Sequence, residues 1–253
     1  MNRAHLFLLP TLLLSSALLI SGPLPEQYRF DTLGTEDGLS NSSVSDIFQD
    51  DQGFIWIATQ AGLNRYDGYS FTLYENDPFD PNSLNHNLVQ TTFLDEDGTI
   101  WAGTYGGLNR FDPESENFDS YANDPEDPAS LSNNVVVSIA RDAAGTLWVG
   151  TLDGLNRFDE ESGSFVRYFP DPDAPGSLPH KVVRDILLDR KDRLWIATYG
   201  GVSRYDAESD TFVTYAANPE DPRTLPSPYV MSLVADPKES DLLWIGTWGG
   251  GVS

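Results

Sequence analysis

One phrase of tryptophan, glycine and arginine recurs along the chain and limits what it can fold into. Its clearest copy is L-W-V-G-T-L-D-G-L-N-R-F-D at residues 147–159. Other copies begin at Ile55, Ile100, Leu194 and Leu243, and the last one is incomplete. Their tryptophans, Trp56, Trp101, Trp148, Trp195 and Trp244, are spaced by 45, 47, 47 and 49 residues. A fixed period of roughly 20–50 residues indicates a repeat architecture.

Each repeat reads as four short strands. The first strand is a β-branched, mostly apolar run that begins at Val44, Val89, Val136, Val183 or Val230. A D-x-x-G turn, such as residues 142–145, leads into the tryptophan strand. A glycine turn, the strand L-N-R-[YF]-D, a polar turn and a strand with F-x-x-Y follow. The units lie near 44–74, 89–121, 136–168 and 183–215, with a partial unit at 230–253.

Four antiparallel strands repeated radially make an all-β fold, the β-propeller, whose blades are four-stranded sheets. The sequence predicts about four complete blades and a partial fifth, an incomplete ring. Residues 28–33 resemble the fourth strand of a unit, although no first three strands precede them. We expect them to close a blade that lies beyond the end of this chain. A five-bladed ring closed onto residues 230–253 is the alternative.

The repeated pattern resembles the two-component regulator propeller repeat over residues 28–253. The residues that carry the resemblance are V-x-x-I-x-x-D-x-x-G-x-[LI]-W-[IV]-[GA]-T-x-x-G-L-x-R-[YF]-D, followed by F-x-x-Y. The resemblance implies a periplasmic sensor that pairs as a homodimer in the full-length receptor and senses an oligosaccharide or another small ligand. It also implies a histidine kinase or diguanylate cyclase output in a longer parent. The last copy stops before R-[YF]-D, so we expect an N-terminal fragment.

Residues 1–22 have the features of a signal peptide. Arg3 precedes an apolar run of 15 residues at 6–20, which Pro10 interrupts. Such a run is short for a membrane span and suits a signal core, although an uncleaved anchor is the alternative. We therefore expect an exported, extracytoplasmic protein. Membrane attachment is expected only through this segment or through a missing C-terminal part.

Composition and motifs exclude several classes of function. The chain has 15 basic and 39 acidic residues, a net charge of −24, which disfavours nucleic acids and anionic lipid surfaces as partners. It has no cysteine and therefore no disulfide or thiolate site. No H-E-x-x-H, G-x-S-x-G or nucleotide-binding motif occurs. We expect no catalytic residue, metal or cofactor, and a glycoside-hydrolysing carboxylate pair is the weakest alternative.

Candidate ligand-binding residues lie where the repeats disagree. The position before the glycine turn reads Gln60, Tyr105, Leu152, Tyr199 and Trp248. The position three residues before the first strand's valine reads Asn41, His86, Asn133, His180 and Ser227. Within the first strand, Ser45, Gln90, Val137, Arg184 and Met231 differ most. The candidates are Tyr105, Tyr199, Trp248, Gln60, His86, His180 and Arg184.

Aromatic rings at these positions can stack on the apolar face of a sugar. The alternative is that exposed loop positions vary without a functional cause. The sequence thus favours a non-catalytic, ligand-sensing propeller segment. An exported scaffold for protein interactions is the second hypothesis.

Overall fold

All regular structure in the described part of the chain is β-strand, apart from one short 3-10 turn at Thr35–Asp37. The computed structural model describes residues 30–253, and the predicted signal peptide lies outside them. Within these residues, Leu33–Ser253 form one compact unit. None of its helical segments has the length and apolar character that a membrane span requires. The all-β fold class is confirmed.

The strands form five separate sheets, one for each repeat. The first sheet contains β1 (Val44–Gln49), β2 (Ile55–Thr59), β3 (Gly62–Tyr66) and β4 (Phe71–Tyr74). The second contains β5 (Val89–Leu94), β6 (Ile100–Thr104), β7 (Leu108–Asp112) and β8 (Asn117–Tyr121). The third contains β9 (Val136–Arg141), β10 (Leu147–Thr151), β11 (Gly154–Asp159) and β12 (Ser164–Tyr168).

The last two sheets follow the same plan. The fourth contains β13 (Val183–Leu188), β14 (Leu194–Thr198), β15 (Gly201–Asp206) and β16 (Thr211–Tyr215). The fifth has three strands, β17 (Val230–Ala235), β18 (Leu243–Thr247) and β19 (Gly251–Val252). Sequential strands pair antiparallel throughout. We refer to the sheets as blades 1 to 5. Four complete blades and a partial fifth are therefore observed, as predicted.

The D-x-x-G turns bend as predicted and also hold the tryptophans. In blade 3 the Gly145 amide donates a hydrogen bond to the Asp142 carbonyl (3.0 Å), and Gly145 has a φ of 86°. The Asp142 carboxylate accepts the indole N–H of Trp148 at 2.8 Å. One side chain therefore fixes both the turn and the buried tryptophan six residues later.

The core lies between blades. Trp148 packs edge-on against Tyr205 of the next blade, with ring centroids 4.7 Å apart. Trp56 and Phe111 repeat this contact at 5.1 Å, and Trp101 and Phe158 repeat it at 5.7 Å. These three tryptophans are almost fully buried. The tryptophan is a buried core residue, as predicted, in the three blades where the following blade supplies an aromatic partner.

Close approach between blades explains why glycine stands in the tryptophan strand. A Cβ atom on Gly150 would lie 2.7 Å from Cγ1 of Val183 in the next blade. A Cβ atom on Gly103 would lie 2.5 Å from Cγ1 of Val136 in the same way. In blades 3 and 4 the first-strand valine thus fills the space left by the glycine of the preceding blade, whereas blades 1 and 4 have Ala58 and Ala197 at the place of that glycine.

In blades 1 and 3 the arginine of L-N-R-[YF]-D pairs with a carboxylate of the next blade. Arg65 contacts the Glu116 carboxylate at 2.9 Å, and Arg157 lies 3.5 Å from the Asp210 carboxylate. These two ion pairs therefore connect blade 1 to blade 2 and blade 3 to blade 4.

Within residues 30–253, no sheet packs on the side of blade 1 where the other blades meet their predecessor. Val44 and Ile47 are 48% and 61% exposed, whereas Val183 and Ile186 at the same positions of blade 4 are buried. Of residues 28–33, expected to form a closing strand, 28 and 29 lie outside the described residues, and 30–33 form no strand. A lone strand has no partner for its backbone groups, so a closing strand needs the sheet that it would complete.

Candidate functional site

The turn between the second and third strands of each blade is bound to the start of the first strand. The amide of Tyr105 donates to the carbonyl of Leu88 (3.1 Å), and the amide of Trp248 donates to the carbonyl of Tyr229 (2.8 Å). First strands of successive blades also contact one another, from β1 through β5, β9 and β13 to β17. The variable residue before each glycine turn therefore lies beside the row of first strands.

Two of the predicted sets of variable residues meet within single blades. The rings of His86 and Tyr105 are stacked with centroids 6.2 Å apart in blade 2. The rings of His180 and Tyr199 lie 5.8 Å apart, at an angle of 43°, in blade 4. The sequence placed these residues in different loops, and the fold brings them together.

The histidines also have a structural task. Nδ1 of His86 accepts the amide of Leu88 at 2.9 Å, and Nδ1 of His180 accepts the amide of Val182 at 3.0 Å. The other blades meet the same need with Asn41, Asn133 and Ser227, each of which accepts the amide two residues on. Variation at this position is thus limited to side chains with an acceptor. Because Nδ1 accepts, the neutral ring carries its proton on Nε2.

An aromatic cleft of about 230 Å³ opens between blades 4 and 5. It is lined by Tyr199, Tyr229, Met231 and Trp248. The rings of Tyr199 and Tyr229 meet at an angle of 88° with centroids 5.5 Å apart. Trp248 is 70% exposed, so its ring is free to contact a ligand. The cleft is therefore a surface of aromatic rings and one thioether.

The predicted residues divide between this aromatic cleft and other places. Tyr199 and Trp248 line it, and His180 packs behind Tyr199. Arg184 lies in β13 at the position that Met231 occupies in β17, and these two strands are in contact. Gln60, Tyr105 and His86 belong to blades 1 and 2 and do not line the cleft. The candidate site is thus narrower than the sequence predicted.

Tyr229 is a lining residue that the sequence analysis missed. It stands just before β17, where the other blades have Ser43, Leu88, Val135 and Val182. An aromatic side chain at this position occurs only in blade 5. Comparing the repeats at this position, which lies two residues before the variable position of the first strand, would have found it.

Among residues 30–253, no group of three or more histidine, aspartate or glutamate side chains is placed to hold a metal ion. The aromatic cleft itself is lined by no carboxylate. What the arrangement offers chemically is contact with a flat apolar face, since aromatic rings attract such faces and leave polar groups at the rim for hydrogen bonds.

Four segments of the chain match the family model of the two component regulator propeller. They are residues 38–61, 83–106, 130–153 and 177–200. Each segment runs from the loop before the first strand, through the tryptophan strand, to the glycine turn. These four segments are two-component regulator propeller repeats.

Relatives of these propeller repeats include signalling proteins. A 49-residue stretch is 51% identical to "Histidine kinase P4" of Formosa agariphila and covers 19% of this chain and 4% of that protein. The crystal structure of the extracellular domain of BT3049 from B. thetaiotaomicron, a proposed hybrid two component system, is also similar. It is 28% identical with a TM-score of 0.57, over 88% of this chain and 34% of that one.

The two-component regulator propeller repeats share their fold with enzymes as well. Virginiamycin B lyase from Staphylococcus aureus is 15% identical with a TM-score of 0.57, covering 84% of this chain and 69% of the lyase. At this identity the likeness shows the propeller fold alone, because one fold hosts many unrelated activities. The chain spans about a third of the BT3049 domain and a small part of the histidine kinase.

Proposed function

We propose that this chain is the extracytoplasmic ligand-sensing segment of a membrane receptor of the two-component type, and that it is not itself catalytic. The observation that carries the proposal is the aromatic cleft of Tyr199, Tyr229, Met231 and Trp248. It is built from positions at which the scaffold repeats change. The similarity to the BT3049 extracellular domain and to a histidine kinase supports a signalling role.

The ligand that suits the aromatic cleft is an oligosaccharide. A pyranose ring has an apolar face that stacks on tyrosine and tryptophan, and its hydroxyl groups point to the sides. The exposed ring of Trp248 and the paired rings of Tyr199 and Tyr229 provide such a surface. The Nε2–H of His180, behind Tyr199, is a hydrogen-bond donor at its edge.

A ligand in the aromatic cleft touches two blades at once. Tyr199 belongs to blade 4, whereas Tyr229 and Trp248 belong to blade 5. A ligand that binds one arrangement of these blades more tightly shifts the population toward it. In the full-length receptor this shift would reach a homodimer interface and, through the membrane, an output domain. Those last steps belong to the proposal.

The binding claim is tested with immobilised oligosaccharides. We expect the chain to bind a subset of them, and Tyr199→Ala and Trp248→Ala each to weaken binding by about tenfold or more, since an aromatic contact contributes about 0.5–1.5 kcal/mol beyond its buried area. Tyr69→Ala is the matched control. Tyr69 is also an exposed aromatic residue in a turn, but this turn lies between β3 and β4 of blade 1, away from the aromatic cleft. Sugar binding that survives both cleft substitutions would remove this site.

The location is tested independently of the ligand. Alkaline phosphatase, which is active only after export, is fused after residue 253 and expressed with residues 1–22 present or deleted. We expect phosphatase activity only when those residues are present. Equal activity from the two fusions would contradict an export role for residues 1–22.

A further inference from the structure

Positive charge is concentrated at one place beside the aromatic cleft. In the first strand, Arg184 stands where the other blades have Ser45, Gln90, Val137 and Met231. Two residues before the first strand's valine, Lys181 stands where they have Ser42, Asn87, Asn134 and Pro228. With His180, blade 4 thus carries three nitrogen bases within five residues, in a chain with a net charge of −24. At two positions of blade 4, a basic residue thus replaces the uncharged residues of the other blades.

No carboxylate in the described part of the chain lies within ion-pair distance of Arg184, which is equally true of Arg110, Arg167, Arg190 and Arg204. Arg65, Arg141, Arg157, Arg193 and Arg223 all have such a partner. Nε of Arg184 is buried and has no hydrogen-bond acceptor among the described residues. A buried donor without an acceptor is unfavourable, and such exceptions call for an explanation.

The neighbouring carboxylate is occupied elsewhere. Asp185 directs its two oxygens at backbone amides, one to Ile186 at 2.9 Å and the other to Leu233 of the next blade at 2.8 Å. It serves the contact between blades 4 and 5 and leaves the guanidinium without a direct partner. Lys181 has only a 3.5 Å contact with Asp153, and both side chains are largely exposed, so this pair holds it weakly.

The position of Arg184 connects this charge to the aromatic cleft. β13 and β17 are in contact, and Arg184 and Met231 occupy the same place in these two strands. Met231 lines the cleft, and Tyr199 is tied through its amide to Val182, two residues before Arg184. Arg184 therefore stands on the strand next to the one that supplies Met231, although it is not among the residues that line the cleft.

We infer that the aromatic cleft takes an acidic oligosaccharide, whose oxyanion group, a carboxylate or a sulfate, pairs with Arg184 while its ring stacks on the cleft. This inference rests on the proposed function, because it names the chemistry of the same ligand. A guanidinium is a planar fork of donors that matches both oxyanions with two parallel hydrogen bonds. Lys181 adds charge that attracts the anion toward the site.

The test uses matched sugars and one substitution. Binding is measured by titration calorimetry with four probes: oligogalacturonate, its fully methyl-esterified form, a sulfated galactan oligomer and the unsulfated galactan oligomer. Arg184→Met introduces the residue that blade 5 has at this position. Arg190→Met is the matched control, since Arg190 lies in the turn between β13 and β14, at the other end of β13. Thermal melts verify that both variants fold.

We expect at least one acidic sugar to bind at least tenfold more tightly than its neutral counterpart, with the difference lost in Arg184→Met and kept in Arg190→Met. Its affinity should also fall with added salt, because ions screen the pair. Tighter binding of the oligogalacturonate would identify the ligand's acidic group as a carboxylate, and tighter binding of the sulfated galactan would identify it as a sulfate.

Equal affinity for acidic and neutral sugars, unchanged by Arg184→Met, would overturn the inference and leave oligosaccharide sensing intact. Binding of none of the probes would count against the proposed ligand class itself.

Discussion

A single hydrogen bond between aspartate and tryptophan recurs through the molecule and shows what the repeated phrase is for. The carboxylate that closes the first turn accepts the indole N–H in blades 1, 3, 4 and 5. Blade 2 departs from this rule, because Asp95 pairs with Arg141 of blade 3 and the indole N–H of Trp101 has no hydrogen-bond partner among residues 30–253. The phrase is scaffold, and its chemistry is turn closure combined with burial.

The tryptophans differ in burial and should therefore differ in energetic weight. We expect Trp148→Ala to lower the free energy of unfolding by about 3–5 kcal/mol, the usual cost of removing a fully buried aromatic side chain. Trp244→Ala should cost clearly less, because Trp244 is 45% exposed and has the same hydrogen bond to an aspartate. Urea denaturation of both variants gives the comparison. If both variants lost the same free energy of unfolding, burial of the tryptophan between blades would not be the source of its contribution to stability.

This difference marks a limit of prediction from sequence. The repeated phrase correctly predicted the strands, the turns and a buried tryptophan, because periodicity and turn chemistry are local properties. Trp244 stands in the same phrase as Trp148, yet its exposure depends on a following blade, which no local pattern encodes. The same holds for Arg65, whose partner Glu116 is 51 residues away in the sequence.

The turn between the third and fourth strands joins one blade to the previous one. Asp210 accepts hydrogen bonds from the hydroxyl groups of Tyr168 and Tyr205, both at 2.7 Å, and lies 3.5 Å from Arg157. To do so it adopts a left-handed backbone conformation, with φ of 53°, that glycine favours. Glu116 does the same in blade 2, whereas blade 3 has Gly163 there and no carboxylate.

Asp192 and Asp210 have the same left-handed backbone conformation, but of the two only Asp210 forms a hydrogen bond or an ion pair with the previous blade within the described residues. Comparing substitutions at the two positions therefore distinguishes the effect of backbone strain from that of the contact. Asp192, with φ of 58°, makes no ion pair within the described residues. We expect Asp192→Gly to raise the free energy of unfolding by about 0.5–1 kcal/mol, since only strain is removed. Asp210→Gly should lower it, because three partners lose their acceptor. Chemical denaturation measures both, and a stabilised Asp210→Gly protein would contradict a joint between blades at this position.

The same joint predicts how stability responds to acid. Hydrogen bonding from Tyr205, and further from Tyr168 and Arg157, lowers the pKa of Asp210 despite its partial burial. A carboxyl group whose pKa is lower in the folded state stabilises the protein above its unfolded pKa, near 4, and this contribution is lost as the pH falls through the folded value. We therefore expect the melting temperature of Asp210→Asn to fall less steeply between pH 5 and 3 than that of the parent chain. Parallel slopes would exclude Asp210 as a contributor.

At the scale of the whole molecule, the fold distributes the predicted site residues over several blades. Sequence comparison between repeats selected Tyr199, Trp248, His180 and Arg184, which belong to blades 4 and 5, because a position that varies within a regular repeat stands out. It also selected Gln60, Tyr105 and His86, which the fold places in other blades. The alignment gives each residue its place in a blade but does not show which blades form a cleft.

The contacts between blades imply how the two end faces behave. Ser138 of blade 3 accepts the Ile186 amide of blade 4 at 3.0 Å, an amide that also binds Asp185. Blade 5 has Ser232 at the place of Ser138, and blade 1 has Asp46 and Ile47 at the places of Asp185 and Ile186. Blade 5 of one copy and blade 1 of another therefore carry the two halves of an existing joint.

We expect the 253-residue chain to self-associate head to tail through these faces, burying Ile47 of one copy and Val234 of another, which are 61% and 56% exposed. Such an interface uses two different surfaces and builds open chains. Ile47→Asp and Val234→Asp should each be monomeric in sedimentation velocity. Mixed together they should form a dimer, since each keeps the face that the other has lost. Val166→Asp, a substitution on an exposed outer strand, should associate like the parent. Monomeric parent protein at micromolar concentration, or no dimer in the mixture, would contradict the prediction.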